Sequence, residues 1–229
     1  MSVKLFLIRH GQTIWNAEGK YQGDVDVELT NFGIKQAKLM AKYLSRVHFS
    51  SIYSSPLRRA LDTARIIAKG RKREVIIREN LKELNFGKWE GLKFDEISKF
   101  YGSEYKKWLD NPFKNTPPGG ESFSSLTERS SKEIHRIIDE NEDGSNVAVV
   151  THGGVITSLL IFWLKIPVER WRSLIQRQGA INIVVVDDGY PYISQINFTG
   201  YLADAYNHAE DKVIEIYADL KRSILNLKR

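Results

Sequence analysis

Two stretches of this chain are apolar without any polar alternation. Leu5-Phe6-Leu7-Ile8 leads into Arg9-His10-Gly11-Gln12-Thr13, and Val147-Ala148-Val149-Val150 leads into Thr151-His152-Gly153-Gly154. An unbroken apolar run fits a strand buried on both faces of a parallel sheet, because alternation is lost once neither face meets water. In such sheets ligands bind outside the carboxyl ends of the strands. The pattern therefore predicts that both histidines, although far apart in sequence, meet in one crevice.

The rest of the chain alternates between strand and helix patterns. After a strand at about residues 3–9 and a loop through Asp24, residues 31–46 read as an amphipathic helix with Ile34, Ala37, Met40, Ala41 and Leu44 on one side. A short strand follows at 49–54. Ser55-Pro56 then suits a helix start, since serine can cap and proline lacks an N–H that would go unpaired there. Residues 74–78 read as a third strand. Aromatic-rich helical pieces cover about 94–115 and end at Pro117-Pro118-Gly119-Gly120. Helices are expected over 122–141 and 155–164, a strand over 146–151, and a hairpin over 181–196 around Asp187-Asp188-Gly189. About residues 203–227 read as a terminal helix with a seam of Val213, Ile216, Leu220, Ile224 and Leu227. This order indicates a layered α/β architecture. Residues 1–229 are expected to form one domain, with about 84–121 as a lid or subdomain over the crevice.

Composition narrows the class. The 229 residues, 42% hydrophobic and 27% charged, are ordinary for a globular protein with one good core. The longest apolar stretch, 155–164, is too short to cross a bilayer. No signal peptide is visible, and the absence of cysteine removes disulfide and thiolate chemistry, so the cytoplasm is the expected location. A formal charge of +6 and a pI near 9.3 suggest anionic ligands. Lys69-Gly70-Arg71-Lys72-Arg73 has no interleaved aromatic residue and reads as a solvated loop, so neither a nucleic-acid nor a membrane partner is expected.

The two strand ends carry the chemistry. Arg9-His10-Gly11 sets a cation and a nucleophilic ring beside a residue that lets backbone approach a ligand closely. His152-Gly153-Gly154 repeats the theme and opens a helix, whose first N–H groups favour an anion. Arg58 and Arg59 begin a further helix near another strand end. Two histidines, arginine and helix amides about one point describe a site for a tetrahedral dianion such as phosphate. Neutral imidazole can also accept a phosphoryl group covalently, and a carboxylic acid can supply the proton that the leaving alkoxide needs. Glu79, Glu83 and Glu90 are candidates for that acid. His48, His135 and His208 lack motif context and read as surface or packing residues. No metal-ligand spacing occurs, so neither a metal nor a cofactor is expected.

Five motifs in order give a resemblance over about residues 3–198. Leu7-Ile8-Arg9-His10-Gly11-Gln12-Thr13 with Trp15-Asn16, and Tyr53-Ser54-Ser55-Pro56-Leu57-Arg58-Arg59-Ala60 with Thr63-Ala64, resemble the histidine phosphatase superfamily. So do Leu84-Asn85-Phe86-Gly87-Lys88-Trp89-Glu90-Gly91, Pro118-Gly119-Gly120-Glu121-Ser122 and Thr151-His152-Gly153. The resemblance implies the phosphoglycerate-mutase-like fold: three α/β/α layers around a mostly parallel sheet with one antiparallel edge strand. It implies His10 as the nucleophile that becomes phosphohistidine, with Arg9, Arg59 and His152 holding the phosphoryl group. By the same likeness Glu83 is proton donor and then base, Asn16 and Gln22 lie at the pocket edge, and Gly153 contacts the bound group. Arg59 rather than Arg58 takes the role because it directly precedes Ala60.

Mutases of the family carry Glu-Arg-His-Tyr-Gly after the acid and Gly-Glu-Ser after the nucleophile. This chain has Glu83-Leu84-Asn85-Phe86-Gly87 and Gly11-Gln12-Thr13 instead. It therefore resembles the phosphatase branch, which includes α-ribazole and broad-specificity phosphatases. The expectation is a metal-independent hydrolase of small phosphate esters. A phosphoglycerate mutase is the alternative, and a catalytically silent phospho-ligand or nucleic-acid binding module is the alternative of another class. The terminal seam leaves homodimer formation open.

Overall fold

The structure is a computed structural model and describes residues 1–205. Six strands form one sheet: β1 (Ser2–Arg9), β2 (Ser51–Ser54), β3 (Val75–Ile77), β4 (Asn146–Thr151), β5 (Ile181–Asp187) and β6 (Tyr190–Phe198), in the order β3-β2-β4-β1-β5-β6. The first four run parallel. Strand β5 runs against β1, and β6 pairs antiparallel outside it, so the antiparallel element at this edge is a hairpin.

The apolar runs are explained by what covers them. Along β1, Val3, Leu5 and Leu7 enter one core while Phe6 and Ile8 enter the other. Along β4, Val147 and Val149 separate from Ala148 and Val150 in the same way. On the Phe6 face lie helices α2 (Asn31–Tyr43) and α3 (Arg58–Ala68), contributing Met40, Ala60, Ala64 and Ile67. The Leu5 face is covered by α6 (Phe123–Asp139) and α7 (Gly153–Leu164), through Leu126, Ile134, Ile137, Val155, Ile156 and Leu159. These helices and the sheet make the three layers that the resemblance implies.

Local differences from the sequence reading have identifiable causes. The stretch after β1 contains a one-turn helix, α1 (Ile14–Glu18), closed by a capping box between Thr13 and Asn16. Such a turn is too short to show periodicity. Helix α3 starts at Arg58 rather than at Pro56, after an extended Leu57. Its N-cap is Leu57 rather than Ser55, whose hydroxyl accepts the Leu57 N–H at 3.3 Å and lies 2.7 Å from a ring nitrogen of His152. The expected lid segment holds α4 (Phe94–Phe100) and α5 (Gly102–Asp110), joined to the main core by the buried rings of Trp89, Tyr105 and Trp108. Of the expected terminal helix, Ala203–Ala205 fall in a 3-10 turn over Gly200–Ala205. The remainder, with the Val213 to Leu227 seam, lies outside the described residues. Among the described residues no helix is long and apolar enough to cross a membrane.

Candidate active site

The sheet delivers the two histidines side by side. Strands β1 and β4 are neighbours with Arg9 opposite Thr151, so His10 and His152 leave adjacent strand ends at matching positions. The ring centroids lie 5.2 Å apart with planes at 60°. His10 continues the ladder by donating its N–H to the Thr151 carbonyl at 3.1 Å. Gly11 is required next, since a Cβ there would collide with the backbone carbonyl of Gly33 at the start of α2. The Gly11 N–H is held by Thr63 Oγ1 at 3.2 Å.

Hydrogen bonding sets the tautomer of each ring. His10 Nδ1 lies 2.7 Å from the Gly11 carbonyl, which can only accept, so Nδ1 carries the proton and Nε2 keeps its lone pair. For His152 the order is reversed. Arg59 Nε–H donates to Nδ1 at 3.3 Å, leaving Nε2–H to donate to Ser55 Oγ at 2.7 Å. Burial and the charges of Arg59 and Arg9 hold His10 well below the ordinary imidazole range. Burial, Arg59, His10 and Arg9 do the same to His152. Both rings are neutral near pH 7.

Arg59 is a fully buried cation. Its Nη1 and Nη2 donate to the carbonyls of Val25 and Gly23 at 2.8 and 2.6 Å. It thereby ties the 22–25 loop to α3. Desolvation lowers its pKa to about 10, against the opposing pull of Glu83, Asp26 and Asp24, so it stays charged at neutral pH. The neighbouring Arg58 is exposed and pairs with Glu28 at 2.7 Å. Arg9 lies on the opposite side, its Nη1 donating to the Gln176 carbonyl.

Of the three candidate acids, only Glu83 reaches the cavity. Its Oε2 accepts the Gly154 N–H at 3.0 Å in the first turn of α7, and its Oε1 accepts the Leu84 N–H at 2.8 Å. Glu79 is exposed and pairs with Lys82. Glu90 accepts the Asp24 and Phe86 N–H groups, each at 3.0 Å, and braces the loop from behind.

These groups open into a cavity of about 300 Å³. Arg9, His10, Asn16, Gln22, Arg59, Glu83 and Gly153 all line it. His152 does not; its ring lies behind the wall, as the cap residue of α7. Gln22 is buried with one end of its amide unpartnered. Among Phe100, Tyr101, Tyr105, Trp108 and Phe113, the aromatics singled out in the lid, Trp108 alone reaches the wall. Sequence reasoning missed Lys20, Tyr21, Trp171 and Arg172, which also line it. Trp171 and Arg172 lie in a 3-10 turn, Val168–Ser173, and no motif marks them. Ser55 could have been found, since it sits in the quoted Tyr53 to Ala60 motif. His48 and His135 are exposed, and His208 lies outside the described residues. Among the described residues no group of three or more metal-ligating side chains is found.

Known proteins resemble this chain over most of its length. The model of the histidine phosphatase superfamily (branch 1) matches residues 5–199. Phosphoserine phosphatase 1 of Hydrogenobacter thermophilus is 32% identical over 211 residues, 92% of this chain and 100% of that protein. Adenosylcobalamin/alpha-ribazole phosphatase of Salmonella typhimurium is 30% identical, covering 85% of this chain and 96% of its own. The solved structure of Bacillus stearothermophilus YhfR superposes with a TM-score of 0.83 at 31% identity, over 87% of this chain and 99% of that one.

Proposed function

The chain belongs to the histidine phosphatase superfamily, and from that premise we propose that it hydrolyses small phosphate monoesters, without a metal, through phosphohistidine on His10. The observation that carries this reading is the lone pair on His10 Nε2, kept free by the Nδ1–H bond to Gly11 on a ring kept neutral by burial and by the charges of Arg59 and Arg9. A substrate phosphoryl group sits between Arg9 and Arg59, with Gln22, Asn16 and Gly153 at its edges. His10 Nε2 attacks phosphorus, the ester P–O bond breaks, and the leaving oxygen takes the proton of the Glu83 carboxyl group. Glu83, now a carboxylate, removes a proton from water, which attacks phosphorus and breaks the P–N bond. Inorganic phosphate and free His10 result. His152 supports the step in its neutral form, its Nδ1 accepting the Arg59 Nε–H at 3.3 Å and so orienting Arg59.

The organic half of the ester meets Phe86, Phe94, Trp108, Phe123 and Trp171, with Lys20 and Arg172 among them. Lys20 already pairs with Glu18, whereas Arg172 has no carboxylate partner among the described residues. This supports a substrate with an apolar surface and a second anionic group, such as a carboxylate. We read residues 84–121 as the specificity wall of a single domain. The partner is the small ester alone, with neither nucleic acid nor membrane, in the cytoplasm; a sizing measurement tests for a homodimer. The test of function is phosphate release from a panel of alkyl, sugar, carboxylated and aryl phosphates in the presence of chelator. Turnover that disappears in His10→Ala supports the reading. Activity that survives the substitution, or depends on added divalent metal, overturns it. Isomerisation of a phosphoglycerate faster than its hydrolysis would instead establish a mutase.

A further inference from the structure

Beyond the groups that line the cavity, one side chain on α6 governs the peptide that carries Glu83. All five N–H donors of Arg129 are used. Nε and Nη2 grip the Glu121 carboxylate side-on at 2.8 Å each. Nη1 donates to the carbonyls of Asn80 and Lys82 at 2.9 and 2.8 Å, and Nη2 to that of Glu83 at 2.9 Å. The remaining carbonyl of the run, Leu81, accepts from Thr151 Oγ1 at 2.7 Å, directly before His152. Glu121 is itself fixed by its own N–H to the Asn85 carbonyl at 2.9 Å. Four consecutive carbonyls are thus tied down by a planar cation and the strand that ends at the second histidine. The peptide they belong to has no sheet or long helix to stiffen it, since only a 3-10 turn over Glu79–Leu81 precedes Glu83.

We propose that Arg129, held by Glu121, is a positioning residue for proton transfer: it fixes the Glu83 carboxyl group where the leaving oxygen departs. Only arginine presents five donors in one plane, so lysine cannot replace the arrangement. The role explains why an exposed-looking acid, Glu121, belongs to the Pro118-Gly119-Gly120-Glu121-Ser122 motif although it never reaches the cavity. The inference rests on the reading of Glu83 as the acid.

The leaving group separates this role from a purely structural one. An alkyl phosphate expels a strongly basic alkoxide that needs the proton, whereas p-nitrophenyl phosphate expels a weakly basic phenolate that does not. The measurement is kcat/KM on both esters, which reports steps only up to formation of phosphohistidine, for the wild type, Glu83→Gln, Arg129→Lys and Glu121→Gln. Glu83→Gln is expected to lose about a hundredfold or more on the alkyl ester and only a few-fold on the aryl ester. Arg129→Lys and Glu121→Gln are expected to show the same selectivity in smaller measure, about tenfold on the alkyl ester, with KM for either ester little changed. Glu121→Gln keeps the shape and guards against a variant that fails to fold. Equal losses on both esters, or none, in the two tether variants while Glu83→Gln stays selective would overturn the inference alone. An unselective Glu83→Gln would overturn the acid assignment and the tether with it.

Discussion

Gly154 donates its backbone N–H to Glu83 Oε2 at 3.0 Å, and a Cβ on Gly154 would overlap the other oxygen of the same carboxylate. The helix that follows the second histidine therefore seats the Glu83 carboxylate. Gly154→Ala is expected to push the Glu83 side chain aside and lower kcat on alkyl phosphates by about tenfold to a hundredfold. The helix should survive, since alanine is the better helix former. Steady-state kinetics beside thermal unfolding checks both halves; unchanged kcat would contradict the seat assigned to Glu83.

The two neutral histidines leave a mark on stability. Each folded-state pKa lies below the ordinary value of about 6.5, so above that pH neither state takes up a proton and nothing is lost. Below it the unfolded chain protonates these rings while the folded chain resists. Stability should then fall by about 1.4 kcal/mol per pH unit for each ring. Urea unfolding of wild type and His10→Asn, compared across about pH 5 to 8, should show the variant gaining relative stability as pH drops. Inorganic phosphate should soften the wild-type decline, because a dianion favours the imidazolium. A gap between the two proteins that stays constant with pH would refute the account.

Arg59 holds a loop as well as a charge. Arg59→Lys keeps the cation but cannot reach Gly23, Val25 and His152 together. The expected result is a loss of about 3–6 kcal/mol in chemical denaturation, from two charge-assisted hydrogen bonds, with kcat/KM down at least about a hundredfold. Arg58→Lys, at an exposed neighbour, should change neither measurably.

Arg172 should read the organic half of the substrate. Arg172→Gln is expected to raise KM for a carboxylated phosphate ester by about tenfold, the value of one charge-assisted contact, and to leave an uncharged ester of similar size almost untouched. Equal effects on both esters would remove Arg172 from substrate recognition.

How much of this was legible depends on the residue. The strand ends were readable, because an apolar run that stops at a histidine reports both burial and position, and the register of β1 against β4 does the rest. The choice of Arg59 over Arg58 needed the resemblance, since both open the same helix. Ser55 was readable as a cap but its use was not: its partner, His152, approaches from a different strand. Lys20, Trp171 and Arg172 arrive at the cavity through short turns whose direction no periodicity encodes. Arg129 falls in the helix expected over 122–141 with no motif to mark it, because its meaning lies in backbone carbonyls 46 to 49 positions away.

Since the spacing of the imidazoles at 10 and 152 follows from backbone pairing between neighbouring strands, about 4.8 Å apart in any sheet, it is inherited from main-chain geometry rather than from side-chain packing. Surface segments around the rim can therefore be exchanged for others without retuning the reactive pair. A scaffold of that kind lets selectivity drift quickly while the chemistry stays put, which makes it a sound starting point for redesigning what the enzyme accepts.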